Sequence, residues 1–197
     1  MEDHVASPSK TPPERLAAFS DGVFAVLITI MILDLKPPHE ISLHAAAQLW
    51  PMVLSYAVSY FFIAIVWVNH HHLLRFAEDA TPGLIWWNFA HLFLVSFVPF
   101  STAWVADTHF AGATVTVYAF VFVLVDGAYC AFQNETLRQA EIRAIPARVL
   151  KATRLRASLT LGGFALAGFV AFKYPLLGFA MICGTLLAFV RPELNTE

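Results

Sequence analysis

Apolar residues in this chain come in long unbroken runs rather than in alternating or half-polar stripes. Six runs stand out, at about residues 14–35, 49–69, 84–105, 112–133, 157–172 and 174–190. Continuous runs of this length predict helices, because a membrane strand reads as about ten residues of alternating polarity. The fold class expected is an all-α integral membrane protein with six transmembrane helices in one domain over 14–191. Residues 1–13 and 192–197 read as short cytoplasmic tails, the first disordered. The last two runs are short and meet at Lys173-Tyr174-Pro175, a tight helical hairpin, and Gly162, Gly163, Gly168, Gly178 and Gly184 let its helices pack closely. No internal repeat is apparent, so any pore symmetry must come from several copies.

Composition agrees. Of 197 residues, 58 % are hydrophobic and 13 % charged, with a mean hydropathy of +0.65. Soluble domains hold about 45–50 % apolar and about 25 % charged residues. Six spans of about 20 residues would use roughly 120 residues of the chain. A net charge of −2 leaves no footprint for nucleic acid. Cys130 and Cys183 lie inside apolar runs and define no disulfide framework. The N-terminus, with charges of both signs and Pro8, Pro12 and Pro13, does not read as a cleaved signal.

Positive charge orients the spans. With the N-terminus inside, the inner side holds Lys10, Arg15, Arg75, Arg138, Arg143, Arg148, Lys151, Arg154, Arg156 and Arg191. The outer side holds Lys36 and Lys173 alone. This bias predicts a multi-pass protein with both termini cytoplasmic. The one long polar connection, residues 135–156, reads as a solvated extension of spans four and five that tracks anionic headgroups, with a regulatory lipid or partner site as the alternative.

The first run carries most of the chemistry. A helix starting at Gly22 would be about 21 Å long, too short for a hydrocarbon core of about 30 Å, whereas one starting at Glu14 gives about 33 Å. Arg15 and Asp21 then lie within the helix, where ionisable groups need partners or water. They stand about 240° apart around the axis and cannot serve each other. With Phe19 at 0°, Arg15, Val26, Ile30 and Leu33 fall within about 40° of it and Thr29 flanks them near −80°, while Asp21 is almost opposite. That apolar stripe reads either as ordinary packing or as a hydrophobic constriction that gates by dewetting. Asp34, near +60° at the outer end, is either a surface acid or a ring at a pore mouth that concentrates cations.

These residues carry a resemblance. Arg15-x-x-x-Phe19-Ser20-Asp21, running into GVFAVLITIMILDL, resembles the signature of the transmembrane protein 175 family of potassium channels, in its bacterial branch. Trp67-x-x-His70 with Leu73 and Phe76 continues it, as does span three with Asn88, Phe97, Pro99 and Phe100. The similarity covers residues 15–105 well and is compositional beyond them. It implies a six-helix subunit in a homotetramer, with the first helix lining a central pore and no reentrant filter loop. No Thr-Val-Gly-Tyr-Gly stretch occurs in the chain. By position it implies that Val26 forms the constriction, that Ile30 and Leu33 form further apolar layers, and that Thr29 bears on selectivity. K⁺ is then the permeant ion, a second copy and membrane lipids are the partners, and no cofactor or metal is called for. Val26 is smaller than the Ile or Leu common in the family, which would make Leu33 the tightest ring. The resemblance further implies a hydrogen-bonding network around Arg15 and Asp21, with His70 and Asn88 as candidate partners, and a bacterial cytoplasmic membrane as the location.

Other polar residues have blander readings. His70-His71-His72 point about 100° apart and do not converge on one ion, so an interfacial helix end is the expectation. His91 is expected to hydrogen-bond within the bundle. Asp126 is a proton site or a partner for the basic connection. Trp86-Trp87 fits an interfacial belt. The main alternative function is a proton-permeable or proton-coupled transporter using Asp21 or Asp126. An intramembrane enzyme lacks Gly-x-Ser-x-Gly, His-Glu-x-x-His or paired aspartates, and a scaffold leaves Arg15 and Asp21 without a purpose.

Overall fold

A computed structural model describes residues 12–38, 40–140 and 147–188. Most of both tails, with Lys10 and Arg191, lies outside the described residues, as do Glu141 and Arg143. All regular structure among the described residues is helical: α1 (Glu14–Met31), α2 (Leu43–Ala47), α3 (Trp50–Leu74), α4 (Pro82–Val95), α5 (Val98–Asp107), α6 (Gly112–Ala140), α7 (Ala147–Ala171) and α8 (Pro175–Ala188). Four stretches are long and apolar enough to cross a membrane: Glu14–Asp34, Leu43–Leu74, Pro82–Asp107 and Gly112–Gln139.

Helix α1 begins at Glu14, just after Pro13, as the length argument requires. Its last turn tightens into a 3₁₀ turn, Ile32–Asp34. Eighteen α-helical and three 3₁₀ residues rise about 27 Å and about 6 Å, which together match the hydrocarbon thickness. Span three is not one helix. Pro99 has no N–H to give the carbonyl one turn back, and the chain steps out of register between α4 and α5 at Ser96 and Phe97. Ser96 Oγ donates to Phe93 O (2.6 Å) and takes up one of the freed acceptors.

Helix α6 is the hub, with α4, α5, α7 and α8 packed on it, whereas α1 lies at the edge on α3 and α4. The main core is aromatic. Phe62 stacks on Phe122 with ring centroids 3.6 Å apart, and Phe164 meets both edge-on. Near it, Ser59 lies 2.6 Å from both Thr102 Oγ1 and Tyr118 Oη. Thr102 donates to Val98 O (2.7 Å), so the protons run Tyr118 to Ser59 to Thr102 to backbone, and every hydroxyl hydrogen has an acceptor. This chain ties α3, α5 and α6 together. Tyr118→Phe is expected to lower stability by about 1 kcal/mol, read as a downward shift in the SDS-unfolding midpoint of the purified protein.

The α7–α8 hairpin closes around Gly178. A Cβ there would stand 2.5 Å from Ala171 Cβ and 2.8 Å from the Ala167 carbonyl oxygen. Because part of that contact is backbone, the two helices would have to separate. Gly178→Ala is expected to cost about 1–3 kcal/mol in the same unfolding measurement. Gly184→Ala, with open space at its Cβ, is the control expected to change little.

Candidate functional site

Helix α1 divides into two faces. Leu16, Ser20, Phe24, Leu27 and Met31 are its buried residues, and at 100° per residue they centre near 100° from Phe19. The opposite side is uncovered: Phe19 is 51 % exposed, Val26 53 %, Ile30 46 % and Leu33 74 %. Thr29 and Arg15 are exposed on the same side. Thr29 Oγ1 donates to Ala25 O (2.9 Å) and lies 3.0 Å from Val26 O, which leaves the oxygen free to accept. Phe19 is fixed edge-on against Phe89 of α4, 5.4 Å between centroids. The 3₁₀ turn swings Asp34 away from this stripe, and it lines a crevice with Lys36, Ser55, Tyr56 and Asp107.

The buried face carries one polar seam. Ser20 Oγ donates to Leu16 O (2.8 Å), so it accepts from Asn88 Nδ2, 3.1 Å away. Asn88 Oδ1 then receives the Nε2–H of His70 at 2.6 Å. All three residues are fully buried, so a single chain of donors links α3 to α4 to α1. Those pairings define the His70 tautomer, with Nε2 protonated and Nδ1 a bare acceptor. His91 donates from Nδ1 to Val125 O (3.1 Å), as expected of a bundle histidine. Its ring lies parallel to His70, centroids 6.0 Å apart, and Phe24 packs against both.

Asp21 does not join this seam. The buried face falls between the stripe and Asp21, so the carboxylate is half-buried at its edge rather than enclosed. The Trp67 indole N–H donates to Asp21 Oδ1 at 2.8 Å. Trp67 is thus the residue that reaches the carboxylate, while the two candidate partners, His70 and Asn88, form the Ser20 seam instead. Neither partners Arg15, which lies on the exposed side.

The three consecutive histidines diverge. His70 is buried, His71 is exposed beside Trp67, and His72 Nδ1 donates to Val68 O (2.8 Å). The expectation of an interfacial helix end fails for His70, because Asn88 makes its burial tolerable. No group of three metal-ligating side chains occurs among the described residues. Asp126 lines a narrow crevice between α3, α6, α7 and α8 with Asn69, Thr160 and Thr185. Sequence reasoning missed Gln139. Its Oε1 accepts from the backbone N–H groups of Glu78 and Asp79 (3.2 and 3.3 Å), and its Nε2 donates to Thr81 Oγ1, pinning the α3–α4 loop to α6. Nothing in the spacing of a lone glutamine in a polar stretch signals that role.

A helical bundle with four membrane-length apolar stretches, an uncovered apolar stripe on its first helix and a buried polar seam behind that stripe defines a polytopic membrane protein. Residues 15–99 match the family described as endosomal/lysosomal potassium channel TMEM175. A potassium channel from Streptomyces collinus is 34 % identical over 171 residues, 80 % of this chain and 82 % of that one. One from a Chryseobacterium species is 37 % identical over 124 residues, 63 % of this chain but only 65 % of its relative. A lysosomal potassium-selective channel TMEM175 homolog from Chamaesiphon minutus, known from its crystal structure, superposes with a TM-score of 0.78 at 28 % identity, covering 89 % of this chain and 95 % of that one. The chain belongs to the TMEM175 family.

Proposed function

We propose that this chain is the subunit of a homotetrameric, potassium-favouring cation channel whose pore is lined by α1. The observation that carries the reading is the uncovered stripe of Phe19, Val26, Thr29, Ile30 and Leu33 on a helix whose other face is fully engaged. Such a face needs either lipid or copies of itself. The relatives named potassium channel favour the second. Four stripes around an axis make successive rings of apolar side chains with one ring of threonine oxygens between them. Closure is a dewetted plug at the narrowest ring, and opening is a modest dilation. K⁺ sheds water at lower cost than Na⁺, so an apolar neck favours it without a carbonyl cage or reentrant loop. Asp34 lies off the stripe in the crevice beside Lys36, so its negative charge acts on the outer mouth from the side rather than as a ring on the pore line. The Ser20–Asn88–His70 seam and the Trp67–Asp21 bond hold α1 at a set angle, and Arg15 faces the inner vestibule.

In this reading the subunit has six spans in one domain over 14–191: the four long apolar stretches, α7, and the shorter α8. Both termini are cytoplasmic and the membrane is that of a bacterial cell. No cofactor is required. The test is flux from liposomes holding the purified protein, under opposed K⁺ and Na⁺ gradients. Fast, K⁺-favouring flux is the expected result. Absence of cation flux under every gradient would shift the reading to proton-coupled transport, the alternative that Asp21 and Asp126 permit.

A further inference from the structure

A second built feature lies outside the α1 site. Between α6 and α7 runs an open groove with Phe120 and Val123 on one wall, Phe169 on the other, Phe164 and Gly168 in its floor, and Lys173 at its mouth. Its floor is tight. Thr116 Oγ1 donates to the Gly168 carbonyl (3.2 Å), and a Cβ on Gly168 would stand 3.2 Å from Ala119 Cβ. The helices therefore touch at the floor while their large side chains stand up at the sides. Phe120 is 57 % exposed and Phe169 82 %, so these rings form walls rather than core.

The groove has a direction. Lys173 lies two residues beyond Ala171, the last residue of α7, and Phe164 lies seven residues before that end. At 1.5 Å per helical residue, with the two-residue turn beyond, the groove is about 10–13 Å long, most of one leaflet of a hydrocarbon core of about 30 Å. Along its length it is apolar, and at its membrane-surface end it offers one ammonium group, held 5.6 Å from the centre of the Tyr174 ring. Lys173 and Lys36 are the two basic residues on that side by the charge bias, so its charge is not one of a crowd.

From this arrangement we infer that the α6–α7 groove is a lipid site, taking one acyl chain of an anionic phospholipid of the outer leaflet with its phosphate on Lys173. An apolar slot most of one leaflet deep with a cation at the interface matches the two ends of such a lipid. A second copy of this chain would need an acid opposite Lys173, and the groove walls carry none. The inference does not depend on what the protein conducts.

The test is native mass spectrometry of the full-length assembly, extracted from vesicles of phosphatidylglycerol and phosphatidylcholine with identical acyl chains. About one phosphatidylglycerol per chain is expected to stay bound in preference to phosphatidylcholine. Lys173→Glu should reduce that preference about tenfold, and Ala165→Phe, which fills the open slot from an exposed position, should abolish retention of both lipids. Lys36→Glu should leave retention unchanged. Equal retention of the two lipids by the wild type, or an effect of Lys36→Glu as large as that of Lys173→Glu, would overturn the site. So would unchanged retention in Ala165→Phe. Disulfide formation between chains carrying Ala165→Cys would make the groove a contact between copies and overturn it as well.

Discussion

Asn88→Ala is expected to be the most destabilising single substitution at the polar seam. The amide is the only link between His70 on α3 and Ser20 on α1, and all three residues are fully buried. Removing it strands the His70 Nε2–H, whose surroundings are Phe24, Phe132 and the parallel His91 ring. A buried donor left without an acceptor costs about 1–3 kcal/mol. The Ser20 side is cheaper, because its hydroxyl hydrogen is already given to Leu16 O. Ser20→Ala breaks one of the two seam bonds and leaves the Asn88 Nδ2–H without its acceptor, so it should cost about 1 kcal/mol, less than Asn88→Ala, which breaks both. The two variants compared by SDS-unfolding midpoint separate a seam that works through Asn88 from a generic loss of polar contacts. Equal shifts would mean that His70 finds another acceptor and that the seam is not the hinge between α1 and α4. In flux assays the same Asn88→Ala protein, where it assembles, should gate poorly, since among the described residues α1 would keep the Trp67–Asp21 bond as its one side-chain polar anchor to a neighbouring helix.

Much of this was legible in the residues, and the part that was not has a geometric cause. The start of α1 at Glu14 followed from length alone, because a helix must span the hydrocarbon whatever its neighbours do. That Phe19, Val26, Ile30 and Leu33 share one side of α1 followed from 100° per residue; that this side is the uncovered one did not, because spacing alone allowed ordinary packing as well. What spacing along one helix cannot supply is the offset of its neighbours. Trp67 and His70 stand about 60° apart on α3 and one turn apart in height, so both were reasonable partners for Asp21. The seam instead lies about 100° from the carboxylate, on the Ser20 side, and the longer indole reaches round to the half-buried edge where Asp21 sits. The break in span three at Ser96 and Phe97 was available from Pro99, but a long apolar run hides a kink that costs no change in composition. The Tyr118–Ser59–Thr102 chain was hidden for the opposite reason: three hydroxyls on three helices have no common spacing to reveal them.

Polar substitution at the neck should change ion flux more than any other alteration of α1. In the proposed tetramer, Val26, Ile30 and Leu33 project from the uncovered face as stacked rings, and each is at least 46 % exposed in the subunit, outside its buried core. Val26→Asn should therefore leave stability almost unchanged, which distinguishes it from Asn88→Ala. Its effect falls on the ion. A valine ring offers a dehydrating cation no ligand, whereas four amides offer several, and a hydrogen-bonding or ligating contact to a charge contributes about 1.5–3 kcal/mol. Even the low end lowers a crossing barrier by about tenfold in rate. Because Na⁺ carries the larger dehydration cost, it gains more, so Na⁺ flux should rise about tenfold and the preference for K⁺ should shrink. Leu33→Asn tests which ring is narrowest. Leu33 is the larger side chain but sits in the 3₁₀ turn at the outer end, while Val26 is smaller and lies in regular helix. A larger Na⁺ gain from Leu33→Asn than from Val26→Asn would assign the neck to the outer ring, as the small size of Val26 predicts. Unchanged flux and selectivity in both variants, with protein of normal stability, would remove the pore from this stripe even if the wild type conducts.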